Sequence, residues 1–146
     1  MATLVWQRLI PAPPEVVWEV LTNHVGYADM LPVRRVWLER EGDPAPNGLG
    51  AIRALATVGP PLREEVIGWE PPRRFAYRLL SGAPVRDHVG TVELEPAGDG
   101  TRMTYRVETT PALPVGKALV VAVMRIVVGR LVRAIEREAP RRAGTR

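Results

Sequence analysis

The sequence predicts an α+β domain in which a curved antiparallel sheet of about seven strands wraps around one long C-terminal helix. Three observations carry this reading. Strand-like segments follow one another at short intervals, each bounded by residues that reverse the chain. The 24 residues from Val115 to Glu138 form a periodic segment far too long for a strand. One or two short helices after the first strand are the other helical signal.

The first strand is the β-rich run Thr3 to Ile10, closed by Pro11. Pro13 and Pro14 then open a helix, because a proline in the first turn lacks an N–H that would have no helical partner anyway. Glu15 and Glu19 suit the positive end of its dipole. Val17, Trp18 and Leu21 share one face, with Glu15, Glu19 and Thr22 opposite, and the helix ends near Asn23. After a loop with His24, Gly26, Tyr27 and Pro32 come six strand candidates: 34–40, 50–58, 62–70, 73–81, 86–95 and 101–109. The pieces between them are rich in Gly, Pro, Asn and Asp, so an antiparallel meander follows. In the last strand Met103, Tyr105 and Val107 alternate with Arg102, Thr104, Arg106 and Glu108, leaving one face wet.

In the C-terminal helix, Val120, Met124, Val127, Leu131 and Ile135 make an apolar stripe that Arg125, Arg133, Glu136 and Arg137 avoid. Ala118, Leu119, Ala122 and Ile126 project elsewhere and are also apolar. A ligand-lined gap, a flap of proline-rich loops or a second subunit would each cover them, and all three stand open.

Composition removes several classes of function. A chain of 146 residues, 46% apolar and 25% charged, suits one globular domain. With no cysteine there is no disulfide frame, thiolate metal site or cysteine nucleophile. Ser81, the one serine, lacks nucleophile-elbow surroundings. The net charge of +4 is mostly terminal: Arg137, Arg141, Arg142 and Arg146 against Glu138 leave +1 for the first 136 residues. No basic stripe interleaved with aromatics accompanies it, so nucleic acid is not expected as a partner. No run is long and apolar enough to span a bilayer, no export signal is visible, and cytoplasmic residence is the default expectation.

The order of elements, together with Ala12-Pro-Pro-Glu-Val-Val-Trp-Glu-Val-Leu-Thr22, Gly48-Leu-Gly-Ala-Ile-Arg53, Glu64 through Trp69-Glu-Pro-Pro-Arg-Arg-Phe-Ala-Tyr77, and Gly90-Thr-Val-Glu-Leu-Glu-Pro96 followed by Gly100-Thr-Arg102, resembles the START-like (SRPBCC) superfamily. These are the helix-grip proteins that include polyketide cyclase/dehydrase and lipid-transport proteins and birch-pollen-type allergens. The resemblance covers nearly the whole chain. It implies one ligand-binding domain over residues 1–138 and a hydrophobic cavity between the concave sheet and the long helix; the charge distribution makes 139–146 a basic flexible tail that the fold is not expected to need.

With apolar residues turned inward, the strands offer Ile52, Ala54, Ala56 and Val58; Val66 and Gly68; Phe75, Tyr77 and Leu79; Gly90, Val92 and Leu94; and Met103, Tyr105 and Val107. From these the expected ligand-binding set is Ile52, Ala54, Ala56, Val66, Phe75, Tyr77, Leu79, Val92, Met103 and Tyr105, with Val120, Met124 and Val127 from the helix. Several are small, and one phenylalanine leaves few rings to plug a gap.

The same register turns Glu64 and His88 inward near Tyr77 and Tyr105. A carboxylate and an imidazole in an apolar pocket suit general acid–base work on an enolisable polyketide. The structural alternative, which is favoured, ties Glu64 to Arg53 or Arg78 and makes His88 a satisfied residue at the pocket mouth. A register slip of one would exchange Glu64 for Glu65. His24, near Tyr27 and Asp29, has too few companions for a metal and reads as loop surface. Trp18, Trp37 and Trp69 read as packing, and the pairs Gly48/Gly50 and Gly98/Gly100 as hairpin turns rather than a phosphate loop. No metal or other cofactor is expected.

The leading expectation is a monomer or homodimer that binds a small lipid-like or polyketide-like molecule. The alternatives are a polyketide cyclase, aromatase or dehydratase using Glu64 and His88, and a protein-interaction module using the apolar start of the C-terminal helix. Whether the chain is an enzyme stays open at this point.

Overall fold

A computed structural model describes residues 1–112 and 116–144. The elements run β1 (Ala2–Ile10), α1 (Pro14–Thr22), α2 (Tyr27–Met30), β2 (Arg35–Arg40), β3 (Ile52–Ala56), β4 (Leu62–Glu70), β5 (Arg74–Ser81), β6 (Val85–Ala97), β7 (Gly100–Pro111) and α3 (Lys117–Gly144). All seven strands join one antiparallel sheet in the order β1-β7-β6-β5-β4-β3-β2. This is the expected α+β helix-grip architecture. The meander from β2 to β7 needs only short turns because each strand pairs with the next. At the tightest, Ala97 pairs with Gly100, and Gly98 takes the positive φ (60°) that a two-residue hairpin turn demands.

Helix α1 is more deeply set than its two-faced pattern suggests. Val16, Val17, Trp18, Val20 and Leu21 are all buried, and so is Thr22. The Thr22 hydroxyl donates to the Trp18 carbonyl at 2.8 Å, which removes the cost of taking it out of water. Trp18 stacks edge-on against Trp69 and Phe75, with centroids 5.1 and 6.3 Å away.

Helix α3 packs on α1 and β1 through Val128, Leu131, Val132, Ile135 and Ala139. The buried stripe therefore lies further along the helix than the sequence suggested. Val120 is buried, but Val127 is 45% exposed, as are Leu119, Val123 and Ile126 to similar or greater degree. Apart from Arg125, the run Val120-Val-Ala-Val-Met-Arg-Ile-Val-Val128 is apolar on every side, so periodicity gave little to choose its inner face. The expected start of the helix, Val115, lies outside the described residues.

At its other end α3 extends into the segment expected as a tail, whose residues 145–146 lie outside the described residues. The helix continues to Gly144, because Ala139 and Ala143 extend the four-residue spacing of Leu131 and Ile135 and pack on the core. Arg141 and Arg142 meanwhile pair with Glu138 at 3.3 and 3.2 Å. Among the described residues no helix is long and apolar enough to cross a membrane.

Candidate functional site

Beneath α3 the concave face of the sheet carries a polar cluster in otherwise apolar surroundings. At its centre is Arg53, 2% exposed, whose Nε donates to Glu64 Oε1 at 2.9 Å. The two residues are direct neighbours across β3 and β4. A buried guanidinium without a carboxylate would be far too costly, so the inward turn of one requires the inward turn of the other. Burial, the largest single influence, works against the charge on Arg53, but Glu64 joined by Tyr27, Tyr77 and Tyr105 outweighs it and raises the guanidinium pKa.

Arg53 also determines the state of His24. Its Nη1 lies 3.1 Å from His24 Nδ1, and a guanidinium can only donate, so Nδ1 is the acceptor. The proton therefore sits on Nε2, which donates to the Asn47 carbonyl at 3.1 Å. Burial, aided by the positive charge of Arg53, lowers the His24 pKa to about 3. The expectation that His24 is loop surface is thus overturned: it is fully buried, drawn in as the second partner of Arg53.

Three rings face the guanidinium, with its Cζ 4.7 Å from the centroid of Tyr77, 5.0 Å from Tyr27 and 5.8 Å from Phe75. Their π faces stabilise the buried cation. The Tyr77 and Tyr105 hydroxyls share a hydrogen bond of 2.8 Å, and the Tyr27 hydroxyl donates to the Leu21 carbonyl. Burial raises the pKa of all three phenols, which stay protonated. Tyr77 lies flat over Gly90, its cross-strand partner; a Cβ there would come within 2.3 Å of the ring.

His88 stands in an irregular stretch of β6, where the register against β7 shifts between Arg86 and Val89 and Asp87 takes a positive φ of 52°. The imidazole is buried, stands 6.3 Å from the Tyr77 ring, and makes no hydrogen bond among the described residues. That corrects the expectation of a satisfied side chain. Burial lowers its pKa, with Glu64 opposing, so the ring is neutral at physiological pH. The buried, unpartnered nitrogen is Nδ1, and leaving it so costs about 1–3 kcal/mol.

These groups border a cavity of about 70 Å³, walled also by Leu31, Leu55, Leu62, Leu79, Ala83, Met124, Val127, Val128 and Leu131. Leu31, Leu55, Leu62 and Val127 are shared with an adjoining recess of about 170 Å³, completed by Pro32, Val33, Thr57, Ile126 and Arg130. The hollow is thus narrow at its polar end and wider toward Pro32, Thr57 and Ile126.

Of the expected ligand-binding residues, Tyr77, Leu79, Tyr105, Met124 and Val127 line this cavity, as do Glu64 and His88. Val66, Phe75, Val92 and Met103 are instead consumed in the packed core, and Val120 is buried away from the cavity. Ile52, Ala54 and Ala56 are off the wall because β3 has the opposite register: Arg53 and Leu55 point in, and Val58 is fully exposed. Glu65 faces outward, bridging Arg40 and Arg78 at 2.8 and 2.6 Å, and the hydrogen bond from Arg78 is the main cause of its lowered pKa. The favoured sequence reading, Glu64 tied to Arg53, is the pairing found, but Arg53 as the centre of a cluster with Tyr27 and His24 was not foreseen. The available signal was Glu64, since an inward carboxylate needs a cation and Arg53 is opposite.

A sequence model of the family described as polyketide cyclase / dehydrase and lipid transport matches residues 1–138. The chain belongs to this family. The polyketide cyclase/dehydrase and lipid-transport fold is equally clear in solved structures. A START superfamily protein from Mycobacterium smegmatis superposes with a TM-score of 0.79 at 14% identity, over 95% of this chain and 97% of that one. Norcoclaurine synthase from Thalictrum flavum, a point mutant in complex with a transition-state analogue, gives 0.77 at 15% identity over 97% and 95%. The Zhui aromatase/cyclase from Streptomyces sp. R1128 gives 0.76 at 22% identity over 97% and 94%. At these identities the likeness is one of fold. No curated protein matches the chain.

Proposed function

We propose that the protein binds a small apolar molecule between the sheet and α3, with the polar end of the guest at the Arg53, Glu64 and His88 cluster. The observation that carries this reading is the unpartnered His88 imidazole on the wall of an apolar cavity. A core shaped only for packing would cover that position with an apolar side chain or give the nitrogen a partner. Burying roughly 200 Å² of guest at about 25 cal/mol per Å² is worth about 5 kcal/mol before ordering costs, enough for useful affinity. Membership of a family that includes lipid-transport proteins supports the same reading.

Proton-transfer catalysis on a polyketide-like substrate is a second reading, supported by the neutral, unbonded His88. Glu64 weighs against it, because its carboxylate is held by Arg53 at 2.9 Å and is not free to shuttle protons. A protein-interaction role for the exposed side chains of Leu119, Val123 and Ile126 is the third.

Native mass spectrometry of protein purified from its own source tests the leading reading: a bound small molecule should be released on denaturation. Leu79→Trp, which fills the cavity, should abolish that adduct. For an identified molecule, His88→Ala should change affinity only several-fold, whereas a thousandfold loss of turnover would establish the enzyme instead.

A further inference from the structure

The polar end of the cavity is already balanced in charge. Among the described residues that line it, Arg53 and Glu64 alone carry full charge, and they neutralise one another at 2.9 Å. His24 takes a second N–H of Arg53 and three rings face the guanidinium, so no bare cation awaits an anion there. Tyr77 and Tyr105 are bonded to each other. The unmet demand is that of His88, 5% exposed and without a hydrogen bond among the described residues. A neutral imidazole presents one N–H donor and one acceptor nitrogen, and a hydroxyl satisfies either, being donor and acceptor at once. A carboxylate only accepts, and it would bring a second negative charge beside Glu64 where water cannot screen it.

Size adds a second constraint. The inner cavity, about 70 Å³, is less than half the roughly 150 Å³ that holds a benzene ring, so it takes the tip of a guest and not a ring. The adjoining recess of about 170 Å³ takes the apolar body. Arg130, the cation among that recess's lining residues, favours a carboxylate only in the reverse orientation, which leaves His88 unpartnered.

We propose that the cavity selects a neutral, hydroxyl-ended aliphatic molecule, its hydroxyl against His88 and its chain in the outer recess, over the fatty acid of the same length. This rests on the cavity-binding reading above and names the class of guest. The test is displacement of the neutral dye Nile red from the full chain by decanol, decanoate and decane at mildly alkaline pH. Decanol should bind at least about tenfold more tightly than either of the others, the usual scale of one buried hydrogen bond. His88→Phe should erase the margin of decanol over decane, and His88→Gln, which keeps a donor and an acceptor, should preserve most of it. Equal or tighter binding of decanoate, or a His88→Phe variant that keeps the margin, would overturn the proposal while leaving cavity binding intact. Failure of the dye and of all three probes to bind would overturn both.

Discussion

Arg53 and Glu64 face each other across β3 and β4 with their charged groups 2.9 Å apart and almost out of water. A pair so placed gains little net stability, because desolvation offsets most of the attraction, yet it is costly to break. Arg53→Met or Glu64→Gln alone should destabilise the protein by about 3–5 kcal/mol, since each strands the other charge or its hydrogen bonds. The double variant Arg53→Met/Glu64→Leu should recover most of that loss in urea unfolding. If the double variant were as unstable as the singles, the pair would not be acting as a unit.

Acid should loosen the fold through His24. Its pKa is near 3 in the folded chain and about 6.5 when unfolded, so the unfolded chain binds more protons between those values. The stability it contributes is complete above about pH 6.5 and is lost as pH falls toward 3. His88, whose pKa is also lowered, contributes with the same sign. The urea midpoint should therefore fall steadily below neutrality, and His24→Asn should flatten that slope whatever it does to stability at neutral pH.

Gly90→Ala tests the seat of Tyr77. The new Cβ would lie 2.3 Å from the ring, which must lift toward the cavity. Overpacking of this kind costs about 1–3 kcal/mol. The displaced ring should also break the bond to Tyr105 and weaken ligand binding, which thermal melts and dye displacement would register separately.

Ile126 offers the converse. It is 56% exposed yet walls the outer recess. Ile126→Asp should leave stability within about 0.5 kcal/mol of the parent while reducing affinity for apolar guests. Unchanged affinity would place the guest elsewhere.

Truncation after Glu138 should lower stability measurably, because it removes the buried Ala139 and the core contact of Ala143. An unchanged denaturation midpoint would mean that the last turns of α3 are decorative.

The sheet was legible in the sequence because turn chemistry brackets every strand and alternation in segments such as 101–109 is clean. The site was legible only in part. In Ala51-Ile-Arg-Ala-Leu-Ala56 apolar residues occupy both parities, and Ala54 is buried on the face opposite Arg53, so hydrophobicity pointed to the wrong register. His24 sits in a segment whose composition is that of an ordinary loop, and only the guanidinium across the interior explains its burial. What fixes such positions is pairing between residues 29 apart in the chain, which no local pattern reports.

Helix α3 is held along its second half by α1 and β1, while its first half leaves Leu119, Val123 and Ile126 in water. It is built like a cantilever, clamped at one end, with Gly129, a weak helix former, just where the clamp begins. A bend at that point would lift Ile126 and Val127 off the recess while the core contacts of Val132, Ile135 and Ala139 stay in place, so entry of a guest would ask for a deflected beam and not an unfolded interior.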